Sequence, residues 1–126
     1  MQTHYERIGG EEVVRKLVDR FYDLMDQQQN FQDIRELHAK SLKASREKLF
    51  MFLSGWLGGP QLYVEKYGHP RLRQRHLPFA ISELERDQWM TCMIQAMQDL
   101  GLEEDLSEEL KRAFWKTADF MRNKEG

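Results

Sequence analysis

The stretch Gly68–Ile81 reads GHPRLRQRHLPFAI, and it holds two of the chain's four histidines, two of its three prolines and arginines at positions 71, 73 and 75. Pro70 and Pro78 bound it. Because proline breaks helices and restricts the residue before it, any helix inside is about two turns long. On one continuous helix His69 and His76 would lie about 10.5 Å apart along the axis. A single metal ion with nitrogen ligands at about 2.0–2.1 Å cannot hold both in that geometry. No H-x-x-x-H pair and no Cys/His cluster occurs elsewhere, which argues against a conventional zinc site. One histidine suffices only where a cofactor supplies the other ligands, as a porphyrin does for its iron. His76 suits that role better than His69. Leu77, Pro78 and Phe79 follow it and offer an apolar wall, while Arg75, with Arg73 and Arg71 nearby, offers a partner for carboxylates. His69, between Gly and Pro, reads as a turn residue. Set against this, a single histidine is most often a solvated or hydrogen-bonded side chain, and an arginine row is most often a solvated face.

Working outward, the pattern is helical almost throughout. On the N-terminal side, Val13, Val14, Leu17, Val18, Phe21, Tyr22 and Met25 recur at three- and four-residue steps. Gly9-Gly10 precedes this run, and Glu11 and Glu12 lie where the helix dipole favours acids. DQQQN ends it, and FQDIRELH gives one or two turns. A helix over about Lys43–Leu57 puts Leu42, Ser45, Leu49, Phe52, Leu53 and Trp56 on one face, and Gly58-Gly59-Pro60 stops it. QLYVEKYG is a short helix ending at Gly68. On the C-terminal side, Ser82 and Glu85 form a capping box for a helix striped by Trp89, Cys92, Met93, Ala96, Met97 and Leu100, stopped at Gly101. Asp105 with Glu108 is expected to cap the last helix, striped by Leu106, Leu110, Phe114, Thr117, Ala118 and Met121. No period-two run of β-branched residues appears, so the class is all-α.

Length and composition narrow the function. A chain of 126 residues suggests one domain, 1–126, with one core. With 40% apolar and 32% charged residues the balance is that of an ordinary globular domain. A net charge of −2 with only local positive clusters argues against nucleic acid as a partner. The longest apolar run, LFMFLSGWLGG, falls short of the roughly 18 residues of a membrane span, and MQTHYERIGGEE lacks the apolar core of a secretory signal. One cysteine, Cys92, permits no internal disulfide and fits the cytoplasm. It lies on an apolar face and reads as inert core. No G-x-S-x-G, P-loop or G-x-G-x-x-G is present. Seven Met, seven Phe and three Trp suit a plastic core or a pocket for a large flat apolar ligand. Tyr22 and Trp89 sit on apolar stripes with polar atoms that need partners. His38, at the end of a helix-like stretch, is placed to join them. Each has the commoner reading of a core side chain satisfied by backbone.

GHPRLRQRHLPFAI followed by ERDQWMTCM, with FMFLSGWLGGP and RFYDLM before them, resembles the group II truncated haemoglobins over roughly Tyr5–Met121. The resemblance implies a two-over-two helical sandwich around a b-type haem. It assigns His76 as proximal iron ligand, Tyr22 and Trp89 as distal hydrogen-bond donors, His38, before the distal helix, as a further donor, and Ser45 and Leu49 as distal-helix positions facing the ligand. Lys48 and Arg75 match partners of the haem propionates, with Tyr63 a further one. Phe52, Phe79, Ile81, Met93 and Met97 are expected to pack on haem. The implied function is reversible binding of O₂, CO and NO. The alternative on the same site is NO dioxygenation or peroxidase-like chemistry. Either would need a separate reductase or reducing substrate, since the chain carries no flavin or nicotinamide motif. A cofactor-free helical interaction module is the reading from another class.

Overall fold

The computed structural model describes residues 2–125, and among them there is no strand. Eight α-helices follow in order: α1 (His4–Ile8), α2 (Glu11–Gln27), α3 (Gln32–Glu36), α4 (Lys43–Trp56), α5 (Leu62–Tyr67), α6 (Leu72–His76), α7 (Glu83–Asp99) and α8 (Glu104–Phe120). A 3₁₀ turn, Gln29–Phe31, leads into α3. No described helix is long and apolar enough to cross a membrane.

The four long helices make two layers. α2 lies against α4 and α7, and α7 lies against α8. The α2 stripe drives this arrangement: Val14, Leu17, Val18 and Phe21 are wholly buried, so the helix is covered on a broad face. Cys92, Met93, Ala96 and Met97 of α7 supply its opposite number, and Leu106, Leu110 and Phe114 close the α8 side. Aromatic rings tie the layers together. Trp56 of α4 stacks on Phe114 of α8 at 4.7 Å between centroids, and Trp89 meets Phe21 at 5.2 Å and Phe114 at 5.6 Å.

The helix ends follow local chemistry. Ser82 and Glu85 form the capping box of α7, with the Ser82 N–H and hydroxyl both donating to Glu85 Oε1 at 2.7 and 2.6 Å. A second capping box, Thr3 with Glu6, starts α1, a helix too short to show periodicity. The last helix corrects its expected start. It begins at Glu104, two residues early for an Asp105 cap, and Glu103 precedes it without a side-chain cap bond. Asp105 is instead one of two acids in the first turn, where the helix dipole alone favours it.

α1 closes over the end of α4, where the Tyr5 N–H donates to the Leu57 carbonyl at 2.9 Å. Gly58 has φ +98°, and the Gly59 backbone lies so close to the Tyr5 ring that a Cβ there would overlap it. Gly59→Ala is therefore expected to destabilise the fold by about 1–3 kcal/mol through overpacking. An unfolding midpoint in urea equal to the parent's would exclude that contact as the reason for this glycine.

Candidate functional site

A cavity of about 570 Å³ opens between α4, α6, α7 and α8, within the size range of small-molecule sites. Tyr22, His38, Ser45, Lys48, Leu49 and Phe52 line it from the N-terminal half. Tyr63, Arg75, His76, Phe79, Ile81 and Trp89 line it from the C-terminal half. Residues spread from 22 to 89 in sequence thus line one cavity.

Met93 and Met97 stand elsewhere. Both are buried in the core, at 0% and 1% exposure, and neither lines the cavity. α7 packs on α2, where Cys92 Sγ–H donates to the Phe21 carbonyl at 3.2 Å. Both were expected to pack on the cofactor, and the lining of this cavity does not include them. Burial also pushes the Cys92 thiol up to about 12, so it stays protonated, as expected of an inert core cysteine.

His76 is the last residue of α6, half-buried, and its Nδ1 lies 2.6 Å from the Leu72 carbonyl. A carbonyl only accepts, so Nδ1 carries the proton and Nε2 keeps a lone pair. Nε2 has no protein partner among the described residues. A hydrogen bond that fixes tautomer and ring rotation while freeing the other nitrogen is the usual support of a metal-bound imidazole.

His38 has the same internal bond, with Nδ1 2.8 Å from the Ile34 carbonyl. Arg35 fastens its loop by donating to the carbonyls of Ala39 and Lys40 at 2.9 and 2.8 Å and to Asp26 at 2.8 Å. Burial first, then the nearby Arg35 and His76, hold His38 below its ordinary value of 6.5. Neutral His38 thus presents Nε2 to the cavity as an acceptor, whereas the sequence reading expected a donor. Its depressed pKa has a stability consequence. The unfolded chain binds the proton more readily, so stability is full above about pH 6.5 and falls with pH below it. His38→Gln is expected to flatten that fall by about 1.4 kcal/mol per pH unit at most. Parallel Tm-versus-pH curves for parent and variant would contradict this.

Tyr22 and Trp89 line the same cavity as His76. Tyr22 is 6% exposed, and burial pushes its phenol well above the usual tyrosine range, so the hydroxyl is a proton donor at any ordinary pH. Its ring meets Phe21 edge-on at 5.0 Å and His38 at 5.8 Å. Neither the Tyr22 hydroxyl nor the Trp89 indole N–H has a protein acceptor among the described residues. Among the described residues no wholly enclosed side-chain polar atom goes unpaired, so both open on the cavity.

Cations mark one edge. Arg75 stands over the Tyr63 ring at 6.0 Å and Lys48 over the Tyr67 ring at 5.8 Å. Neither has a carboxylate partner among the described residues, unlike Arg15, Arg46 and Arg86, which are all ion-paired. Arg73 is exposed, in keeping with its reading as a solvated residue, and it also donates to the carbonyls of Phe120 and Arg122. His69 does behave as a turn residue: its Nδ1 accepts from the Arg71 N–H at 3.0 Å.

Several wall residues escaped the sequence reading. Phe114, Thr117, Ala118 and Met121 of the C-terminal stripe line the cavity, as do Trp56, Leu72 and Arg86. The stripe was visible, but periodicity does not separate a face that meets another helix from one that meets a cavity.

The fold and site together define a helical domain with one histidine on a very short helix, aimed at an apolar cavity that is edged by unpaired cations. Comparison with known proteins specifies the class. The family model of bacterial-like globins matches residues 3–123. The group 2 truncated hemoglobin YjbI of Bacillus subtilis (strain 168) is 40% identical over 119 residues, which cover 94% of this chain and 87% of that protein. The structure of the cold-adapted truncated hemoglobin from the Antarctic marine bacterium Pseudoalteromonas haloplanktis TAC125 superposes with a TM-score of 0.93 at 44% identity, covering 98% of this chain and 99% of that one. That of the group II 2-on-2 hemoglobin from the plant pathogen Agrobacterium tumefaciens gives 0.95 at 40% identity, covering 100% and 97%. The chain belongs to the bacterial-like globin family and, within it, to the group II truncated, two-on-two haemoglobins. That membership implies a haem cofactor and the binding of diatomic gases.

Proposed function

We propose that the protein is a cytoplasmic b-type haem protein that reversibly binds O₂, CO and NO, with His76 as the iron ligand. The observation that carries this reading is the imidazole of His76, with Nδ1–H held by the Leu72 carbonyl and Nε2 unpartnered on the wall of an apolar cavity. When bound, haem supplies a ferrous iron that takes a diatomic ligand and shifts negative charge onto it.

The chain's own residues do the rest. Leu49, Phe52, Phe79 and Ile81 present apolar surface to the macrocycle. Arg75 and Lys48 meet its carboxylates, with Tyr63 beside Arg75. Tyr22 and Trp89 offer O–H and N–H to a ligand that carries partial negative charge. Ser45 and Leu49, small and apolar respectively, set the room on that side.

The test is spectroscopic. Protein purified or reconstituted with haem should show a Soret band that shifts on adding O₂ or CO to the reduced form. A protein that shows none after haem addition would leave only a cofactor-free reading. Steady-state assays with NO or peroxide, each with a separate reductant, decide whether the site also turns over. Rates above those of free haem would add an enzymatic role.

A further inference from the structure

α6 carries the iron-binding imidazole of the proposed function, yet it is five residues long and none of its side chains is buried. So short a helix has no stability of its own. Its fastening comes from the far end of the chain. Arg73 Nη1 donates to the carbonyls of Phe120 at 2.6 Å and Arg122 at 2.8 Å. Asn123 Nδ2 donates to the carbonyl of His76 itself at 3.2 Å and to that of Phe79 at 2.7 Å. Asn123 Oδ1 accepts from the Ile81 N–H at 3.0 Å. The backbone N–H groups of Asn123 and Lys124 both donate to the Ile81 carbonyl, at 2.9 and 3.1 Å. The segment is itself anchored, since Arg122 pairs with Asp119 at 2.9 Å and Asp119 pairs with Arg86 at 2.7 Å.

We infer that residues 120–124 are a latch that positions the His76 imidazole in the cavity, with Asn123 and Arg73 as its positioning residues. The inference rests on His76 being the iron ligand. The Leu72 carbonyl fixes how the ring turns within α6, but it cannot fix α6 itself, because donor and acceptor move together. Asn123 does what that bond cannot. It spans His76, Phe79 and Ile81, so it joins the end of α6 to the start of the α7 capping box. Only a primary amide does all three tasks there: an Asp carboxylate would keep an acceptor for Ile81 and lose both donors. The His76 carbonyl would then keep only the Phe79 N–H, at 3.0 Å, and nothing would tie it to the C-terminal segment.

The test uses the full-length, haem-loaded protein. Asn123→Ala, Asn123→Asp and Arg73→Ala are compared with Lys124→Ala, whose side chain makes no bond in the latch. Two quantities are read: the Fe(II)–His stretching band in resonance Raman, and the rate of haem transfer to excess apomyoglobin. For Asn123→Ala and Asn123→Asp the band should shift and broaden, with transfer about ten-fold faster. Arg73→Ala should move both in the same direction, and Lys124→Ala should match the parent. A lowered Tm with an unmoved band and unchanged transfer would reduce the latch to a plain stability device and overturn the inference. Should Asn123 variants fail to fold, Arg73→Ala decides alone. A parent without a Soret band overturns the haem reading and the latch with it; a parent with the band whose variants all match it overturns only the latch.

Discussion

His76→Gly should lose haem at least about a hundred-fold faster than the parent, since altering even the partner of a metal ligand typically costs 10- to 100-fold and here the ligand itself goes. Millimolar imidazole should restore the spectrum by filling the space the side chain leaves. The prediction is sharp because the cavity holds two histidines in the same state. His38 and His76 both have Nδ1 tied to the carbonyl four residues earlier, at 2.8 and 2.6 Å, and both present a bare Nε2. Chemistry at the ring does not choose between them; the surroundings do. His76 is followed by Leu77, Pro78 and Phe79, stands beside the unpaired Arg75 and sits on an element with no packing role of its own. His38 sits on a loop fastened by Arg35, with Tyr22 against its ring. His38→Gly should therefore keep haem with the parent's Fe–His band. If it loses haem and His76→Gly does not, the two roles are exchanged. His69→Gly, at an exposed turn, should match the parent.

Both arrangements show which parts of the molecule are readable from sequence. Helices with a buried stripe are legible because burial repeats with the helical period: Val14, Leu17, Val18 and Phe21 are all at 0% exposure. Stops are legible where glycine or proline enforces them, as at Gly58-Gly59-Pro60. The same periodicity fails at α7. Trp89 and Met93 are one turn apart on the same stripe, yet one lines the cavity and the other is wholly enclosed in the core. A small rotation of the helix decides that, and no residue type records it. Donor and acceptor roles were likewise hidden. That His38 accepts follows from a bond to Ile34, which depends on how α3 ends. The latch was the least visible feature, since Arg73 and Asn123 lie 50 positions apart and their partners are backbone groups, which leave no trace in composition.

Removing the two cavity donors should release O₂ faster, and the structure makes the substitution clean. Trp89→Phe deletes the indole N–H while keeping a ring between Phe21 and Phe114, at the 5.2 and 5.6 Å spacings that hold the layers together. Tyr22→Phe deletes a hydroxyl and keeps the edge-on contact with Phe21 at 5.0 Å. Each donor contributes about 0.5–1.5 kcal/mol, so either change alone should raise the O₂ dissociation rate by about two- to ten-fold. The double variant should reach one to two decades, about the sum of the two terms. CO draws less charge and serves as the internal control: its dissociation should move by much less than that of O₂ in the same variants. A loosened pocket would speed both ligands together, so equal acceleration would count against hydrogen bonding, and an unchanged O₂ rate in the double variant would remove both donors from the site's chemistry. His38 separates the alternatives further. As a neutral acceptor it has nothing to donate to a negatively polarised ligand, so His38→Phe at neutral pH should leave O₂ dissociation near the parent's value. An acceleration like that of Trp89→Phe would mean that Nε2, not Nδ1, carries the proton and that the Ile34 bond breaks when a ligand binds.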